Sequence, residues 1–587
     1  MEISMITENK NIGIGKIIRI SGSVIFASGL ENIAKNNIVQ IGDDKLIGEI
    51  VKIEDSIAII QTYEDTIGLQ IGAKVINTGK PLYAKLGPGL LGNIVDGLQR
   101  PLADLQQEFG PFLVRGMTQN KILKVKKYTF YPLVQKGSYI EPGSKIGYVM
   151  EKNLKHFILS SPTFMPDIVK TIHDEGEVDS KDILMTSQKN EIIKLDQQWP
   201  VRLKRPILKR ITNFEHFYTG QRIIDTFFPL NVGGNAIISG GFGTGKTFFI
   251  QSLSKYSIVD IVVVVLIGER GNEVANSLNE YRELKDIKGN DLLDRTVLIV
   301  NTSNMPVSAR ESSIYLGMTI AEYFRDQGYN VALVGDSLSR WAEAIREISG
   351  RLEEIPGEEG YPSYLGKALG ELFERAGKVT TLSYETGSLT FLASISPPGG
   401  DFSETVTQSA LKVVGAFYAL NTDLARARHF PAVDWKLSFS LYGDGIAKVL
   451  KNRYPSWQET RVIFLAILKQ EEEIERTLRL LGRDSLSEDQ KSILDMCSIL
   501  KSSYLQQNAY DEIDKNTSME KQVIMMKAML TLWKLANKAI AKSETSDTFF
   551  HESFVEQFTR MWEIPESDLN RIDDLIKKYS NILEDKK

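Results

Sequence analysis

Residues Gly240 to Thr247 read Gly-Gly-Phe-Gly-Thr-Gly-Lys-Thr and satisfy the pattern G-x-x-x-x-G-K-[ST] at every required position. Such a segment constrains the fold around it. Its glycines let the backbone curl until successive N–H groups face one point. That arrangement needs a strand leading in and a helix leading out, whose N-terminal end adds positive potential. Both flanks are legible: Asn235-Ala-Ile-Ile-Ser239 is an apolar run suited to a buried strand, and Phe248-Phe-Ile-Gln-Ser-Leu-Ser254 continues as a helix. The expected ligand is the phosphate chain of a nucleotide, cradled by Gly241, Phe242, Gly243, Thr244 and Gly245. Lys246 would reach the outer phosphates and the Thr247 hydroxyl would face Mg²⁺. An ordinary glycine turn is the alternative, and the strand–loop–helix context disfavours it.

A chain of 587 residues has room for roughly three or four domains. Its net charge of −5 gives no global basic field for nucleic acid. Cys497 is the only cysteine, and His156, His173, His216, His429 and His551 show no metal-ligand spacing. Neither an intramolecular disulfide nor a thiolate cluster is expected, which suits a reducing cytosol. The opening Met1-Glu-Ile-Ser-Met-Ile-Thr-Glu8 lacks the basic start and apolar core of a secretory signal. The most apolar run, Ile261-Val-Val-Val-Val-Leu-Ile267, falls well short of the about 20 residues that span a bilayer. It reads as a strand buried on both faces of a parallel sheet, and any membrane role would come through a partner.

The pattern predicts a multidomain α/β chain. Short alternating segments punctuated by glycines over 1–75 indicate an N-terminal β-barrel, and 76–110, with Gly87-Pro-Gly89 and Arg100-Pro101, reads as a connector. A β-rich, turn-rich domain is expected over 111–200, with turns at Tyr139–Ser144 and Asp174–Val178. Strands alternating with helices over 201–440 indicate a P-loop domain with a mostly parallel sheet. The remainder, 441–587, reads as helical, with Gly482 closing one helix and Ser487 and Gln490 boxing the start of the next.

Two carboxylates stand at strand ends. Val331-Ala-Leu-Val-Gly-Asp336 is an apolar strand ending in an acid, about 90 residues after the loop, the place where a P-loop enzyme holds Mg²⁺. The strand at 261–267 runs into Gly268-Glu269-Arg270-Gly271, and an acid at a strand's C-terminal edge points to the crevice where open α/β sheets bind ligands. Glu269 then orients water and Arg270 positions phosphate, or the two form a local surface pair; spacing alone does not choose.

Longer stretches do. Gly87-Pro-Gly-Leu-Leu-Gly92, Gln198-Trp-Pro-Val201, Gly220-Gln-Arg-Ile-Ile-Asp-Thr-Phe-Phe-Pro229, Gly268-Glu-Arg-Gly-Asn-Glu273, Ser339-Arg-Trp-Ala-Glu-Ala344, Pro356-Gly-Glu-Glu-Gly-Tyr-Pro362, Ser396-Pro-Pro-Gly-Gly-Asp-Phe-Ser403, His429-Phe-Pro-Ala432 and Leu505-Gln-Gln-Asn-Ala-Tyr510 accompany the loop. Together the chain resembles the catalytic A subunit of the V/A-type rotary ATPases along nearly its whole length. The resemblance implies a RecA-like nucleotide domain, an insertion domain over 111–200 absent from the F-type counterpart, and ATP and ADP as substrate and product with Mg²⁺.

The same resemblance implies roles. Lys246 and Thr247 bind phosphate and metal, Glu269 polarises the hydrolytic water, Arg270 contacts the phosphate region, and Asp336 supports Mg²⁺. Phe430 lies against adenine and Tyr510 closes the pocket; without the resemblance Phe430 would read as a core aromatic beside Pro431. It further implies an alternating ring of three A and three B subunits, with an arginine finger from B. Central rotor and peripheral stalk subunits, and a membrane sector moving H⁺ or Na⁺, would complete a complex on the cytoplasmic face of the membrane. The charged stretch Lys469-Gln-Glu-Glu-Glu473 reads as a solvated helix face before it reads as contact surface. Departures from the family pattern are Gly241, Thr244, Ala427 and Asp434-Trp435. Two other functions remain: a Rho-like RNA-translocating ATPase, which needs a basic-aromatic surface that the barrel region lacks, and a non-catalytic ring subunit, which predicts loss of Lys246 or Glu269.

Overall fold

The computed structural model describes residues 13–102, 116, 127–286, 289–551 and 553–584. The last part of the expected connector and the start of the insertion domain, 103–115 and 117–126, lie outside the described residues. The chain divides into two compact units: Met1–Thr212 with Val259–Ile395 and Ser403–Val413, and Asn213–Ile258 with Ser396–Phe402 and Val414–Lys587.

The first unit opens with six antiparallel strands, Ile14–Ser21, Val24–Ser28, Asn37–Ile41, Leu46–Glu54, Ile57–Thr62 and Lys74–Pro81, which close into a barrel. Alternate residues such as Ile17, Ile25, Val39, Ile50, Ile60 and Val75 point inward and fill it. Register shifts between Ile17 and Arg19 and between Ile50 and Lys52 supply the bends a small barrel needs. Next come two four-stranded sheets around a shared core of Phe130, Ile146, Val149, Val169, Leu184 and Met185. The turn expected at Asp174–Val178 turns only in its first half. Gly176–Val178 is an edge strand paired with Tyr128–Phe130, because Val178 joins that core.

A parallel sheet completes this unit, in the order Thr386–Ile395, Asn330–Asp336, Ile261–Glu269, Thr296–Thr302, Ile94–Asp96. Strand Ile261–Glu269 has a parallel partner on each side, which is why its first eight residues are all buried and seven of them apolar. Helix Val307–Asp326 lies so close to it that a Cβ on Gly317 would stand 2.3 Å from Val265 Cγ2.

In the second unit, strand Asn235–Gly240 pairs in parallel with Ala416–Leu420 and leads through the glycine loop into helix Lys246–Tyr256. Helices Trp457–Leu481, Glu488–Leu500, Met519–Ala541 and Asn570–Glu584 follow. Gly482 ends the first of these at φ +82°, and the Ser487–Gln490 capping box opens the second. The multidomain α/β class, with barrel, β-rich insertion, parallel sheet and helical C-terminal part, is thus as the sequence pattern predicts.

Candidate functional site

The glycine loop has the conformation its sequence requires. Gly243 and Gly245 sit at φ +78° and +83°, in the left-handed region where a side chain is strained. Thr244 is buried and its hydroxyl donates to the Gly241 carbonyl at 2.9 Å, tying the loop across its neck. Lys246 donates its ammonium to the carbonyls of Gly240 and Gly241 at 2.5 and 2.9 Å. A phosphate offers that ammonium a stronger, charged acceptor. Helix Lys246–Tyr256 starts with no side-chain cap, and a helix N-terminus of this kind favours an anion. Thr247 is exposed on that first turn. Phe242, at the loop tip, is 95% exposed.

Beside the loop lies a cleft of about 480 Å³. Phe430 and Tyr510 both line it, as do Gly245 and Phe248. The Phe430 ring lies over the loop, 3.5 Å from where a Gly245 Cβ would stand. Tyr510 is 84% exposed and faces Phe248 across 5.5 Å at an interplanar angle of 31°. Flat apolar faces around an open slot suit a planar aromatic base. Sequence reasoning missed Phe248. Its only signal was an exposed aromatic two residues after the loop lysine, in a helix that otherwise reads as core.

Glu269 and Asp336, both in the first unit, end adjacent parallel strands. Gly268, at φ +66°, marks a register shift between Ile267 and Glu269 that turns the acid out of the regular ladder. Asp336 is buried and accepts a hydrogen bond from the Ser394 hydroxyl. Burial, the negative charge of Asp336 and a hydrogen bond shared with Glu273 push the Glu269 carboxyl up to about 8, against a smaller pull from Arg340. Carboxylates crowded together without enough positive charge are poised for a cation or a proton. Glu273 and Arg340 were not singled out from the sequence, although both lie in the family-like stretches. Arg270 is exposed at the start of helix Gly271–Glu283, where its carbonyl accepts from Val274 N–H at 2.9 Å.

Among the described residues no three His, Cys, Asp or Glu side chains group as a metal site. Mg²⁺ does not require one: it takes one or two protein oxygens together with phosphate oxygens and water. The Asp336 carboxylate in the first unit and the Thr247 hydroxyl in the second are each hard oxygen donors, the type of ligand Mg²⁺ takes.

Comparison with known proteins agrees along the length of the chain. Residues 220–440 match the nucleotide-binding domain of the ATP synthase alpha/beta family, and 448–550 the C-terminal domain of V and A type ATP synthase. Residues 120–202 match the family's barrel-sandwich domain and 17–79 its β-barrel domain. The chain is 48% identical over 559 residues to the A subunit of the A-type ATP synthase of Staphylothermus marinus, covering 94% of each. It is 44% identical to that of a Desulfurococcus species, over 97% of this chain and 99% of the relative. The V-type ATP synthase alpha chain 1 of Clostridium tetani is 42% identical over 97% of this chain and 98% of its own length. Among solved structures, the ATPase EscN of the enteropathogenic E. coli type III secretion system aligns with a TM-score of 0.63 at 22% identity. That alignment covers 88% of this chain and 100% of EscN, a likeness of fold.

Proposed function

The chain belongs to the A-subunit family of A-type and V-type ATP synthases, and we propose that the residues described above carry its chemistry. Membership makes it an enzyme that hydrolyses or synthesises ATP and one component of a multi-subunit complex that couples this to ion transport. In the proposed site the loop N–H groups of residues 241–247 and the Lys246 ammonium grip the phosphates. The base slides between Phe430 and Tyr510. The Glu269 carboxylate would orient water in line with the terminal phosphate and take its proton as the water oxygen bonds to phosphorus and the ADP oxygen leaves; in synthesis the acid would return that proton to the hydroxyl that leaves phosphate as water. Thr247 and Asp336 would hold Mg²⁺, which neutralises charge on the phosphates when bound. Arg270 steadies the phosphate region.

What supports this reading most is the phosphate loop with the aromatic cleft at its flank, built within one unit around Gly245. Lys246 and Glu269 are both present, which sets the chain apart from a non-catalytic ring subunit, and the named relatives leave the RNA-translocating alternative without support. The remaining positive charge on the transferred group would come as an arginine from a neighbouring B subunit in an alternating ring. That ring would meet rotor and stalk subunits at the cytoplasmic face of a membrane; no described helix is long and apolar enough to cross one. Calorimetric titration of the full chain with ATP tests the site. ATP binding that disappears in Lys246→Ala supports it, and equal binding by both proteins contradicts it.

A further inference from the structure

Residues 506–518 form a loop between helical elements, and this loop carries Tyr510, one face of the cleft. An exposed ring on such a loop grips a base only if the loop is held from behind. The holder is Arg222, which is 0% exposed. Its Nε donates to the Tyr504 carbonyl at 2.8 Å, Nη2 to the Gln506 carbonyl at 2.6 Å, and Nη1 to the Thr517 hydroxyl at 3.0 Å and to the Asp514 carboxylate. One guanidinium thus pins both ends of the loop.

From there the bonds run to the main chain of both aromatic residues. The second Asp514 oxygen accepts from the Asn508 N–H at 2.7 Å, and the Asn508 side chain accepts from the Tyr510 N–H at 3.0 Å. Gln507 accepts from the Arg222 N–H at 2.9 Å through its side-chain oxygen, while its own N–H donates to the Phe430 carbonyl at 2.8 Å. Its side-chain nitrogen closes the circuit on the carbonyls of Gly220 and Asp514, both at 2.8 Å.

We propose that Arg222 is a positioning residue for the base of the nucleotide: its buried fork fixes the loop behind the Tyr510 wall, its main-chain N–H holds the Gln507 that ties this loop to Phe430, and it takes no part in holding the phosphates. The inference rests on the reading of this cleft as the base site. Lysine keeps the charge at residue 222 but replaces a planar fork of five N–H donors with one ammonium of three, which does not reach all four acceptors.

The test uses the full chain and two ligands, ATP and inorganic tripolyphosphate, which presents phosphates without a base. Arg222→Lys is expected to weaken ATP about tenfold, the scale of one or two lost charged hydrogen bonds, and to leave tripolyphosphate within about twofold. Asp514→Asn, which keeps the side-chain shape, is expected to act in the same direction and carries the test if Arg222→Lys does not fold. In the assembled complex both variants should raise KM for ATP with kcat unchanged. Unchanged ATP affinity, or equal losses for the two ligands, overturns the inference. Phe430→Ala separates it from its premise. If Phe430→Ala weakens ATP and Arg222→Lys does not, the positioning role alone is wrong. If Phe430→Ala leaves ATP binding intact, the cleft does not hold the base and both ideas go.

Discussion

Glu269 should make the nucleotide-free protein less stable as pH rises. Its carboxyl is pushed from an ordinary 4.5 up to about 8 by burial, Asp336 and Glu273. The folded state therefore binds a proton that the unfolded chain releases between those two values. The stabilisation is complete below the unfolded value and is lost as pH rises through about 8. At about 1.4 kcal/mol per pH unit the full shift corresponds to about 5 kcal/mol, which water reaching this partly exposed acid reduces to roughly 2 kcal/mol. Glu269→Gln is neutral at every pH and similar in shape, so it isolates the effect. Thermal melting of both proteins without nucleotide or metal, from pH 4 to 9, should give similar midpoints at the acid end, below the unfolded value. At the alkaline end the variant should melt higher by roughly 3 °C, the scale expected for such an energy in a unit of this size. A gap that stays constant with pH would refute the crowding of charge on which the argument depends.

Other outcomes follow from the same geometry. Thr247→Ala removes a hydroxyl from the first turn after the loop; turnover should fall and half-maximal activity should need more Mg²⁺, read by titrating the metal at fixed ATP. Arg202 bridges Glu49 of the barrel and Glu311 of helix Val307–Asp326 with four hydrogen bonds of 2.6–3.0 Å. Arg202→Ala leaves two buried carboxylates without their countercharge and should cost about 3 kcal/mol, read as a lower urea midpoint. The isolated chain should bind ATP yet turn it over about 10³-fold or more slower than the assembled complex, since an arginine finger is worth that much. Rapid hydrolysis by a verified monomer would contradict the missing-arginine account.

How much of this was legible in the sequence depended on how local each requirement is. Gly243, Gly245 and Lys246 announce the phosphate loop because the backbone itself demands them at fixed offsets. Val331–Asp336 and Ile261–Ile267 announce buried strands because both faces must be apolar. The Ser487–Gln490 box was readable for the same reason. The base cleft was not, since Gly245, Phe248, Phe430 and Tyr510 come from stretches far apart in the chain and only the resemblance named two of them. Arg222 lies in the family-like stretch Gly220–Pro229, but nothing there marked its role. In sequence it is a basic residue before Ile-Ile-Asp, and nothing short of tertiary structure places its fork behind Tyr510. The turn expected at Asp174–Val178 failed in its second half because Val178 gains more by joining the Phe130 core than its neighbours' turn propensity opposes.

The central claim is that Glu269 activates water on an ATP held by the glycine loop. Its most direct test is Glu269→Gln in the assembled, rotor-bearing complex, with ATP binding and steady-state hydrolysis measured on the same preparation. The account predicts ATP binding close to that of the unaltered complex and turnover reduced by about 10²-fold or more, as for loss of a general base. Turnover retained alongside binding would contradict it.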